Sequence, residues 1–195
     1  MVAVYVLLAF LPIAVFLVFK VWGKQLRKRA GTSDSADRGL SPYERERNIA
    51  LNISPLLLKL NIPNDETLVY GVVAEMDMGE GFMTLACYIT GAANLYFSTG
   101  GGLRGGGKNP RVGEASVELV TDAQDYLSMA RSTRVIEPPV KGFLTIYLLT
   151  NQGKFIARDE TRYVEDNSSP WLSLFEKCSK VIAEMHKINN AGVNG

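Results

Sequence analysis

The chain has 195 residues, and its 21 lysines and arginines nearly balance its 20 aspartates and glutamates. This balance argues against a nucleic-acid partner, because a general nucleic-acid binder carries a larger basic excess. The two cysteines, Cys87 and Cys178, form no C-x-x-C pair and no metal-ligand spacing with histidine, so we expect no metal and no cofactor.

The first segment is apolar. Residues 2–19 contain no charged side chain, and Val21 and Trp22 extend the run to a length that crosses about 30 Å of hydrocarbon as a helix. The alternatives are a cleaved signal peptide and a buried core helix. A signal peptide would have a charged start and a small-residue cleavage site, and neither is present. We therefore predict a single-pass transmembrane anchor over residues 1–23.

A basic cluster follows the apolar run, without acidic residues: Lys20, Lys24, Arg27, Lys28 and Arg29. Basic flanks stay on the cytoplasmic side, so we expect the N-terminus outside and the C-terminal domain in the cytoplasm. A periplasmic or secreted domain would require this rule to fail. The cluster would lie at the headgroups of the lipid bilayer, which is the first expected partner. Residues 24–41 continue as a polar, flexible tether.

A globular domain is predicted over residues 42–188, with a disordered tail at 189–195. Ser41 is the expected N-cap of a first helix, with Pro42 and Glu44 completing a capping box. Pro55 interrupts the apolar stripe of this segment, which is therefore either one helix or two short helices with Ser54 capping the second. The stripe contains Ile49, Ile53, Leu56, Leu57 and Leu60. Three strand-like runs follow, over residues 67–77, 82–90 and 94–99.

The second half begins with a long helix predicted over residues 110–131. A hairpin follows, with strands at 143–150 and 154–164, and the last helix covers 170–188. The order is therefore α-βββ-α-ββ-α. It predicts an α+β domain with a mostly antiparallel, five-stranded sheet packed against helices.

One glycine-rich segment, residues 98–108, lies between a predicted strand and a predicted helix. Such a loop can bind phosphate through its backbone N–H groups and the helix N-terminus. The candidate ligand-binding residues are Gly100, Gly101, Gly102, Arg104, Gly105, Gly106, Gly107 and Lys108. A P-loop is rejected because Asn109 stands where Ser or Thr binds magnesium. A Rossmann site is rejected because no acid follows a second strand. The open alternatives are a structural connection, a partner-binding loop and an anion site.

No catalytic residue is predicted. His186, the single histidine, lies near the end of the last helix, where a solvated role is typical. Two groups of carboxylates fall near the hairpins and are interpreted as solvated hairpin ends. The first contains Glu75, Asp77 and Glu80, and the second contains Asp159, Glu160, Glu165 and Asp166.

The leading hypothesis is a membrane-anchored cytoplasmic interaction or regulatory module with no catalytic activity of its own. It would hold a protein partner near the inner face of the membrane. The alternative is a protein, or an enzyme, that binds a phosphate or nucleotide ligand through residues 98–108. The two hypotheses differ in whether the glycine-rich loop contacts a small ligand.

Overall fold

The computed structural model describes residues 40–191, with side chains through residue 188. The predicted anchor, the basic cluster and most of the tether lie outside the described residues. Within the described part, no helix is both long enough and apolar enough to cross a membrane.

The described chain begins with a helix and ends with a longer one. In order, its elements are α1 (Pro42–Asn52), β1 (Val69–Asp77), β2 (Phe82–Tyr88), β3 (Ala93–Phe97), β4 (Gly102–Leu103), a 3-10 turn (Gly106–Lys108), α2 (Pro110–Asp122), a 3-10 helix (Ala123–Met129), β5 (Arg131–Thr133), β6 (Phe143–Thr150), β7 (Gly153–Glu160), α3 (Thr161–Glu165) and α4 (Leu172–Ala191).

The strands form one antiparallel sheet in the order β4-β3-β2-β1-β6-β7-β5. This confirms an α+β domain with a mostly antiparallel sheet packed with helices. The prediction of five strands is wrong, because the described residues contain seven. The two missed strands, β4 and β5, are edge strands of two and three residues. Segments of this length are too short to show the alternation by which a strand is recognised.

The sheet is covered on both faces, which makes three layers. Val72 of β1 belongs to the core beneath α2 and α4, whereas its neighbour Val73 belongs to a second core beneath α1. Because successive side chains of a strand point to opposite faces, β1 is buried on both sides. The central strands are therefore fixed in register by two separate apolar layers.

The helix boundaries differ from those predicted. The capping box of Ser41 and Glu44 is present, but α1 ends at Asn52. Leu56 and Leu57, expected on its apolar stripe, are instead exposed, because the helix stops before Pro55. The helix predicted over residues 110–131 is α-helical only to Asp122. It then tightens into the 3-10 helix before entering β5.

Candidate functional site

The glycine-rich loop forms one edge of the sheet and leads into α2. Gly100 and Gly101 adopt positive φ where the chain turns between β3 and β4. The 3-10 turn Gly106–Lys108 follows, and the side chain of Asn109 then caps α2. The loop thus lies between a strand and a helix, as the sequence predicts.

Three glycines of the loop lie against neighbouring elements. A Cβ at Gly102 would overlap the carbonyl oxygen of Leu95 in β3, and one at Gly107 would overlap that of Gly91. A Cβ at Gly106 would crowd side chains of α2 and α4. Close backbone approach therefore accounts for these residues, since no other residue type lacks a Cβ.

The polar groups of the loop contact the sheet and α1. Arg104 forms an ion pair with Glu46 of α1. The side-chain oxygen of Asn94 accepts the N–H of Gly105 at 2.9 Å. Lys108 is exposed at the end of the 3-10 turn. The structure therefore brings the predicted glycines together but pairs Arg104 with a carboxylate.

A shallow groove lies beside the loop, with a volume of about 520 Å³. We call it the loop groove, and its lining includes Gly91, Gly107, Gly113, Glu114, Val117 and Glu118. The glycines leave its base without side chains, and α2 supplies the apolar and acidic wall. The charged residues in its lining are Glu114 and Glu118, and carboxylates repel a phosphate and attract a basic group.

Glu118 joins the groove to the last helix. Its carboxylate forms ion pairs with Lys180 and Lys177 of α4, at 2.5 and 3.0 Å. The hydrogen bonds from these two ammonium groups hold the pKa of Glu118 below its usual value. Glu114, one helical turn earlier, lines the groove directly. The two lysines neutralise Glu118, so Glu114 is the carboxylate that gives the wall of the groove its negative charge.

A second polar cluster lies on the α1 face of the sheet. Thr84, Glu75, Thr145 and Arg158 stand side by side on β2, β1, β6 and β7. Glu75 is only 1% exposed, so its interpretation as part of a solvated hairpin end is wrong. A signal was present in the sequence, since Glu75 stands among consecutive apolar residues of a strand buried on both faces.

Arg47 of α1 covers this carboxylate. Its Nε lies 2.5 Å and its Nη2 2.9 Å from the two oxygens of Glu75, a bidentate arrangement. Burial raises the pKa of Glu75, and the neighbouring Arg47 guanidinium opposes that rise. The pair fixes the position of α1 on the sheet.

Further hydrogen bonds extend this buried pair. The hydroxyls of Tyr43 and Thr84 are 2.8 Å apart. Arg47 and Tyr147 both donate to the carbonyl oxygen of Glu137. Burial raises the pKa of Tyr43 to about 12. Because its polar groups bond mainly to one another, this cluster is best explained as an internal clamp between α1, the sheet and the segment before β6.

The second carboxylate group organises the turn around α3. Asp159 accepts a hydrogen bond from Ser169 at 2.7 Å, and Glu160 forms an ion pair with Arg162. Asp166 accepts from the backbone N–H of Ser168. Over residues 40–191, no group of three or more histidine, cysteine, aspartate and glutamate side chains is arranged to hold a metal ion.

The thiols lie inside the core beneath α2 and α4. Cys87 and Cys178 are both buried and are not joined by a disulfide. Burial raises the pKa of Cys87 to about 12 and also raises that of Cys178. Neither is therefore a thiolate at neutral pH.

The loop groove is thus the accessible candidate site, whereas the polar cluster beneath α1 and the two thiols are buried. The charge of the groove, rather than the glycine pattern, indicates the kind of molecule that it would bind. No protein-family model, curated protein or solved structure matches the chain.

Proposed function

We propose that the protein is a membrane-tethered, cytoplasm-facing interaction module that receives a partner protein in the loop groove. The observation that carries this proposal is the groove itself, where a glycine base meets an apolar and acidic wall. The uncharged run at residues 2–19 and the basic cluster after it supply the location.

The chemistry of the groove supports a polypeptide partner that carries a basic side chain. Its base contains backbone from three glycines, which allows another polypeptide backbone to approach closely. Val117 is 37% exposed, and Glu114 lies one turn before it on α2. A short segment that carries a small apolar side chain beside a lysine or arginine satisfies both contacts.

Site-specific photocrosslinking tests this proposal in the full chain within native membranes. Val117→p-benzoylphenylalanine is expected to give one discrete adduct. Val140, which has the same exposed fraction of 37%, provides a matched control position with no expected adduct. Adducts of equal yield at both positions, or none at 117, would contradict the proposal.

A charge reversal tests whether Glu114 contributes to binding of the partner. Glu114→Lys is expected to reduce the adduct yield at residue 117 by at least fivefold, because it replaces an attractive charge with a repulsive one. Asp125→Lys makes the same change of charge at an exposed position outside the wall of the groove and should leave the yield unchanged. Equal losses in the two variants would show a general charge effect.

The alternative function, a phosphate or nucleotide ligand held by residues 98–108, remains a prediction. It differs from the groove proposal in the sign of charge that it requires. Saturable binding of phosphate or nucleotide that disappears in Lys108→Ala would favour the alternative. Retained crosslinking in the same variant would favour the groove.

A further inference from the structure

Two adjacent leucines protrude from the turn that follows α1. Leu56 and Leu57 are 82% and 73% exposed, and we call this pair the leucine tip. The turn is hydrogen-bonded internally: the N–H of Leu57 donates to Ser54, and that of Leu60 donates to Pro55 at 2.9 Å. The tip is therefore held outward by an ordered turn. Single exposed apolar residues are common, whereas contiguous exposed apolar surface is typical of interaction sites.

The base of the turn is fixed to the domain. Leu58, Leu60 and Ile62 pack against the core beneath α1. The hydroxyl of Tyr70 donates to the carbonyl oxygen of Ile53 at 2.8 Å. Since the neighbouring Leu58 and Leu60 are partly buried against this core, the outward position of the tip is set by the fold.

The charge around the tip suits a lipid surface. From Asn48 to Asn64 the only charged residue is Lys59, which is exposed and adopts positive φ two residues after Leu57. An apolar tip beside a lysine matches the bilayer interface, where acyl chains lie below anionic headgroups. Ile49, 63% exposed near the end of α1, adds apolar surface to the same part of the chain.

The predicted tether would place this tip within reach of the membrane. Residues 24–41 connect the predicted anchor to α1, and a flexible chain of this length has a root-mean-square span of about 20–25 Å. The 11 residues of α1 add about 16 Å. A domain held at this distance from the bilayer would populate even a weak contact.

We propose that the leucine tip inserts into the interface of the bilayer that anchors the chain, with Lys59 at the headgroups. This inference rests on the proposed membrane tethering. It assigns the domain a fixed orientation at the membrane.

Fluorescence in reconstituted vesicles tests this orientation. The full chain carrying Leu57→Cys is labelled with nitrobenzoxadiazole and placed in vesicles of phosphatidylcholine and phosphatidylserine. Both native cysteines are buried, which directs the label to the introduced thiol. Nitroxide-labelled lipids are expected to quench this label at least twofold more than one at Met129→Cys. Met129 is 53% exposed and lies in the 3-10 helix after α2.

A second variant and an extraction step separate the outcomes. Leu56→Ser in the Leu57→Cys background should lower the quenching by at least half. Alkaline extraction reports anchoring independently. Loss of the chain from the vesicles would refute the tether itself. Retention with equal quenching at residues 57 and 129 would overturn this inference alone. A blue shift without lipid quenching would assign the tip to a protein contact, and would also overturn it.

Discussion

Arg47→Leu is expected to lower the free energy of unfolding by about 3–5 kcal/mol, because it leaves the buried Glu75 carboxylate without its counter-ion. The carboxylate is 1% exposed and therefore cannot recover hydration in the folded state. The measurement is urea unfolding of the full chain in detergent micelles. It is followed by the fluorescence of buried Trp171 in a Trp22→Phe background, which leaves one tryptophan.

The paired variant provides the control. Arg47→Leu combined with Glu75→Leu removes both charges, and its stability is expected to return to within about 2 kcal/mol of the parent. If the double variant is as unstable as Arg47→Leu alone, the buried charge is not the cause of the loss.

The pH dependence has a definite sign. Burial raises the folded-state pKa of Glu75, so the folded protein binds the proton more tightly than the unfolded chain. This contribution to stability is present at acidic pH and is lost as pH rises through the interval between the unfolded and folded pKa values. As pH rises through that interval, the free energy of unfolding of Arg47→Leu should therefore fall more than that of the Arg47→Leu/Glu75→Leu variant, which lacks this carboxyl group. Equal pH dependence of the free energy of unfolding in the two variants would contradict a raised pKa of Glu75 in the folded protein.

Gly107→Ala is expected to destabilise the domain by about 2–3 kcal/mol, the upper range for overpacking a well-packed site. Its new Cβ would overlap the carbonyl oxygen of Gly91 and lie 2.8 Å from the Cα of Ala92. Both atoms belong to the backbone, so relief of the overlap requires the turn between β2 and β3 to move. Urea unfolding in the same background measures this effect.

The matched control is the glycine that touches Gly107 from α2. A Cβ at Gly113 would lie 3.5 Å from the carbonyl oxygen of Gly107, an ordinary contact. Gly113→Ala should therefore leave stability unchanged or raise it by up to about 1 kcal/mol through helix propensity. Equal destabilisation by the two alanines would refute the packing explanation.

The fold class was predictable because the long elements carry strong local signals. Ser41 and Glu44 mark the start of α1, and Asn109 with Pro110 marks the start of α2. The alternation and β-branched content of the longer strands identify the hairpins. These signals depend only on neighbouring residues in the chain.

The remaining features depend on residues that are distant in sequence. Glu75 is buried because Arg47, 28 residues earlier, packs over it. The loop groove requires Gly91, Gly107 and Gly113 to meet, and no periodicity predicts that contact. The exposure of the leucine tip was not predicted for a local reason. Leu56 and Leu57 follow the helical spacing of α1, although Pro55 stops that helix before them.

The proposed groove and the proposed leucine tip would give a tethered module two separate surfaces. The leucine tip would hold the α1 side of the domain at the bilayer. The loop groove, formed by α2, the turn between β2 and β3 and the 3-10 turn, would remain open to the cytoplasm. Location and binding would then be performed by separate surfaces, so each can be removed by substitution without the other.

The most direct test of the membrane-tethered module is the location of its C-terminus. The full chain is fused at residue 195 to a fluorescent protein that matures only in the cytoplasm, and the membranes are then washed at alkaline pH. We expect fluorescence that remains with the membranes and becomes soluble when residues 2–22 are deleted. A dark fusion in the membranes, or fluorescence released from the full chain by the wash, would contradict the proposal.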